Sequence, residues 1–77
     1  MNFRKFKKMM RDLGADIDAI CSLAVEAFDN ARDMKQAFDH IATIFRREVS
    51  REFLKQRMLA HAQVTGYDNS VELVRQL

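Results

Sequence analysis

A chain of 77 residues allows one domain and one modest core, and domains this small bury a lower share of their surface than larger ones. Its apolar fraction of 48% and charged fraction of 31% are those of a folded chain and exclude a disordered one. The single cysteine, Cys21, excludes an intrachain disulfide and points to a reducing compartment; no charge-free run is long enough to span a bilayer. The basic start lacks the apolar stretch and cleavage site of a signal peptide, so the expected location is cytoplasmic.

The net charge of +2 hides a segregated pattern. Residues 1–13 carry Arg4, Lys5, Lys7, Lys8 and Arg11 against Asp12, whereas residues 14–45 carry six carboxylates against Arg32 and Lys35. The remainder is mixed, with Arg46, Arg47 and Arg51 clustered near its start. A basic first helix beside an acidic second is expected to neutralise both within the chain.

In chain order, Phe3, Phe6, Met9, Met10 and Leu13 fall within an arc of roughly 120° at helical spacing, with the five cations on the other side. This amphipathic helix ends near Gly14. Asp16 is placed to cap a second helix whose inner face is Ile17, Ile20, Cys21, Ala24, Ala27 and Phe28. Asp29 and Asn30 permit a bend, and Asp33 is the expected cap of a third helix carrying Met34, Ala37, Phe38, Ile41, Ile44 and Phe45 on one stripe. No proline occurs anywhere, and no glycine lies between Ala15 and Thr65.

The apolar stripe then changes sides. Val49, Phe53, Leu54, Met58, His61 and Val64 cluster nearly opposite Phe38 and Phe45. Either the helix breaks near residues 46–50, with Ser50 capping a new one, or one rod from Asp33 to Val64, about 48 Å long, packs its second half on another molecule. Gly66 suits a left-handed helix end, and Asn69 with Glu72 matches a capping box for a last helix over Val71 to Leu77, with Tyr67 as lid. The expectation is an all-α fold, a single helical domain over residues 1–77 with four to five helices. Phe38, Ile41, Phe45 and Ile20 should anchor its core.

Catalytic chemistry finds little support. His40 and His61 have no companion ligands at metal spacing, Cys21 lies on an inner helix face, and the Asp16-Ile17-Asp18 run lacks the glycine and further ligands of a calcium loop. There is no phosphate loop and no nucleophile elbow. The chain therefore reads as non-enzymatic, without cofactor, metal or small-molecule substrate.

What remains is binding. The surplus apolar face predicts a protein-binding module, an accessory, adaptor or inhibitor of a larger protein, acting as a homodimer through Val49, Phe53, Leu54, Met58 and His61. The alternative is a small nucleic-acid-binding regulator contacting phosphates through Arg4, Lys5, Lys8, Arg11, Arg46, Arg47 and Arg51. The run Phe53-Leu54-Lys55-Gln56-Arg57-Met58-Leu59-Ala60-His61 resembles a stretch of the theta subunit of bacterial replicative polymerases, a small helical accessory protein. That likeness covers nine residues with few identities and no catalytic signature, and it does not assign the chain to the family.

Overall fold

The structure, a computed structural model, describes residues 1–66 and 68–77. Five helices follow one another: α1 (Phe3–Asp12), α2 (Ile17–Ala27), α3 (Ala31–Ile44), α4 (Arg51–Thr65) and α5 (Asp68–Arg75). No strand occurs among the described residues.

Caps define most of the boundaries. Asn2, Asp16, Asn30 and Ser50 each accept, through a side-chain oxygen, the backbone N–H three residues on, which satisfies one of the orphan donors at a helix start. The third cap falls at Asn30 and not at Asp33. Asn30 Oδ1 accepts the Asp33 N–H at 2.9 Å while its Nδ2 donates to Asp33 Oδ2 at 2.9 Å, so the two residues close a reciprocal box. The last helix also starts earlier than the sequence suggests, at Asp68. Asn69 lies inside it and donates to the Asp29 carbonyl at 3.1 Å, tying α5 to the α2–α3 link. The expected lid, Tyr67, lies outside the described residues. Gly66 closes α4 in the left-handed region at φ +75°, the conformation that favours glycine.

The long apolar span is broken. α3 ends at Ile44, Arg46 donates to the Thr43 carbonyl at 3.0 Å, and the N–H groups of Glu48 and Val49 both bond to Phe45 O. Ser50 then starts α4. The turn lets both halves of the reversing stripe face one core: Met34, Ala37, Phe38, Ile41 and Phe45 from α3 meet Leu54, Met58 and Ala62 from α4.

At the centre lies α2, which touches all four other helices and buries Ile20, Cys21, Ala24 and Val25. Aromatic contacts clamp helix α1 to the end of α2 and to α3: Phe6 meets Phe28 edge-on with ring centroids 5.2 Å apart, and Phe3 meets His40 of α3 in the same manner at 5.4 Å. Two ion pairs pin α4 from outside. Arg57 reaches Asp18 of α2 at 2.6 Å, and Arg51 reaches Asp39 of α3 at 2.7 Å with its guanidinium over the Phe38 ring. Both are solvent-exposed and contribute little each. Burial of Leu54 and Met58 is the stronger fixative.

Leu54→Ala is expected to cost about 2–5 kcal/mol in urea unfolding of the dilute chain, because a fully buried side chain leaves a cavity, whereas the neighbouring exposed Phe53→Ala costs much less. Ser50→Pro, read by circular dichroism and unfolding, should lose only the cap, about 1 kcal/mol, and not the roughly 3 kcal/mol of a proline inside a continuous helix.

Candidate functional site

The expected dimer patch does not form one surface. Leu54 and Met58 are fully buried in their own chain's core, so neither is available to a partner in this fold. Val49 packs half-buried in the turn before α4, and His61 is half-buried with its Nε2 enclosed and without a hydrogen-bond partner. Phe53 alone is open, at 46% exposure. The burial has a simple cause: the break at residues 46–50 turns Leu54, Met58 and Ala62 back onto the core, while Phe53 and Val64 of the same stripe stay exposed.

The cations fare differently. Arg4, Lys5, Lys8 and Arg11 are all exposed along α1, Arg46 and Arg47 are exposed in the α3–α4 turn, and none of the six has an ion-pair partner among the described residues. No ion pair joins α1 to the acidic second block among the described residues. Of that block, Asp18 is paired with Arg57, Asp39 with Lys35 and Arg51, and Asp16 and Asp33 serve as cap and cap partner. Arg51 stands apart from the other six because Asp39 and the Phe38 ring already hold it. Hydrogen bonds from Arg51, then from Lys35, hold the Asp39 carboxyl below the usual carboxylate range.

Alongside this face runs a groove of about 460 Å³ between α1 and the end of α3. Met10, Ile44 and Phe45 supply apolar surface, Lys7 and Arg11 supply charge, and Gly14 closes the end. Ile44 belongs to the predicted core stripe, yet it lies at the edge of the buried face of α3 and is 53% exposed. His40 lines the same groove; partial burial, then the charge of Lys7, pushes its imidazole below the ordinary histidine value. Lys7 is held with its Nζ 5.0 Å from the Phe3 ring centre, within the reach of a cation–π contact. Sequence reasoning missed this groove. The available signal was that Lys7 and Arg11, four residues apart, border the apolar arc on the side away from Met9, so they edge whatever surface α1 shares with α3.

Reactive chemistry is confined. Cys21 is fully buried, and that burial, reinforced by the charge of Asp18 and partly offset by Arg57, pushes its thiol up to about 11. Such a thiol is inert, since the thiolate is the nucleophile. No group of three His, Cys, Asp or Glu able to hold a metal ion occurs among the described residues. No helix of the described residues is long and apolar enough to cross a membrane.

Comparison with protein-family models, curated proteins and solved structures finds no match.

The buried thiol carries a pH signature. The folded chain holds its proton to about 11 while an unfolded chain releases it near 9.0, so this contribution to stability is complete below pH 9 and is lost between about 9 and 11. Denaturation at stepped pH should show that fall, and Cys21→Ala should remove it.

Proposed function

We propose that the protein is a non-catalytic binding module that docks an acidic amphipathic segment of a larger protein in the groove between α1 and α3. The observation that carries this reading is the pairing of an apolar floor, Met10, Ile44 and Phe45, with two cations on the rim, Lys7 and Arg11, that lack ion-pair partners among the described residues. A helix presenting apolar side chains to the floor and carboxylates to the rim matches both, the arrangement used when an amphipathic helix lies in a groove.

The charge of α1 also runs against the helix's own interest. Arg4 and Lys5 occupy its first turn, where the positive end of the helix dipole disfavours cations, and no acidic residue offsets them. A local rule broken without a compensating contact is the kind of feature that marks a binding surface. In this role the chain acts as an adaptor, accessory or inhibitor, without chemistry of its own.

A second reading rests on the same cations. Arg4, Lys5, Lys8, Arg11, Arg46 and Arg47 supply positive charge for phosphates, and nucleic acid is the anion this reading requires. It leaves the apolar floor of the groove without a purpose.

The two are separated by one pair of titrations. A synthetic amphipathic peptide with leucines on one face and glutamates flanking them should bind with a modest salt dependence, and Ile44→Asp should weaken it about tenfold or more through loss of apolar contact and charge repulsion. A duplex or single-stranded oligonucleotide that binds instead, with affinity falling steeply as salt rises and indifferent to Ile44→Asp, rejects the peptide reading.

A further inference from the structure

The opposite flank of α1 carries a different surface. Between α1 and the outer side of α2 lies a groove of about 390 Å³, with Met9, Leu13, Ala19 and Leu23 on its floor and Asp12 and Glu26 on its rim. It shares no residue with the groove beside α3. Met9 is 38% exposed although it belongs to the apolar arc of α1. Leu23 lies roughly 115° from the centre of the inner stripe of α2, where it packs half-buried at the margin of the core and lines this groove.

Charge indicates what covers this surface. At helical spacing Lys5, Met9 and Asp12 fall within roughly 60° of one another on α1, so a cation and a carboxylate bracket an exposed methionine along one line of the helix. Neither Lys5 nor Asp12 has an ion-pair partner among the described residues, and the same holds for Lys8 and Glu26. A partner of uniform sign satisfies one end of this line and is repelled by the other. A second copy turned end for end satisfies both.

We propose that two copies of this chain associate about a two-fold axis near Met9, with α1 antiparallel to the partner's α1 and Lys5 of each chain facing Asp12 of the other. Lys5 lies four residues before Met9 and Asp12 three after, so on antiparallel helices the two charges differ by about 1.5 Å along the axis. The isologous arrangement forms the pair twice and buries Met9 against its mate beside Leu13 and Leu23. It pairs one of the five cations of each α1 with a carboxylate, a contact that no ion pair makes within one chain among the described residues. A ten-residue helix spans about 15 Å, so the contact is smaller than the roughly 800 Å² per partner of a stable complex, and the dimer dissociates on dilution. Because the groove beside α3 lies on the other flank, a dimer leaves both copies of it open.

Sedimentation equilibrium on the full chain tests this. The wild type should show a concentration-dependent dimer weakened by salt. Lys5→Glu places like charges together in its homodimer, as does Asp12→Lys, and each should raise the dissociation constant about tenfold or more with unchanged helical circular dichroism. An equimolar mixture of the two variants should recover the dimer, because each chain then meets opposite charge at both contacts. A wild-type monomer at every concentration to about 1 mM overturns the proposal. So does a dimer that both variants leave intact, that their mixture fails to rescue, or that only Phe53→Asp disrupts, since the last places the contact on α4. Ile44→Asp should leave dimerisation unchanged, so failure of peptide docking and failure of self-association are read separately.

Discussion

The need to cover α2 organises this protein. Ile17–Ala27 contains only two charged residues, Asp18 and Glu26, and is apolar over most of its circumference. A helix of that kind is stable in water only when enclosed. The chain encloses it with α1 and its aromatic contacts, with α3 following directly, with α4 returning after the turn at residues 46–50, and with α5 closing the end, where the Ser70 hydroxyl points to the Val25 carbonyl. Phe6, Ile20, Met34, Ile41, Leu54 and Met58, one or more from each of the first four helices, are all fully buried around it. No disulfide assists, so packing carries the stability of a small domain.

The turn between α3 and α4 is the step on which this enclosure depends. Without it, the reversed stripe of Phe53 to Val64 points away from the stripe of Met34 to Phe45. With it, Leu54, Met58 and Ala62 lie one and two turns apart on the side facing the core. The turn contains neither proline nor glycine. It is held by two backbone N–H groups on one carbonyl, an arginine on another, and a serine cap. Such a boundary is set by hydrogen bonds and burial together, not by residues that forbid a helix.

Much of the fold was legible from periodicity and caps. The all-α class, the cap at Asp16, the left-handed end at Gly66 and the core anchors Ile20, Phe38, Ile41 and Phe45 all follow from local pattern, whereas the Ser50 cap belonged to only one of two readings of the stripe reversal. Asn30 took the cap expected of Asp33 because both carry a capping side chain and only tertiary placement chooses between them. Whether the stripe reversal meant a partner or a turn was undecidable locally, since periodicity reports which side of a helix is apolar and not what lies against it. The groove beside α3 was hidden for a related reason. It joins Lys7 and Arg11 to Ile44 and Phe45, more than thirty residues away, and which edge of the α3 stripe stays open depends on what packs against it.

The proposed binding surfaces therefore lie on the two flanks of α1 and not on the face of α4 that the sequence suggests. That reading stands on one architectural point, that Leu54, Met58 and Ala62 of the reversed stripe are buried within a single chain. Small-angle scattering extrapolated to zero concentration measures it directly. The account requires a compact particle with a Cα radius of gyration near 11.0 Å and a longest axis near 28 Å before hydration. A particle extended to about 48 Å or more, the length of an unbroken helix over residues 33–64, would contradict it.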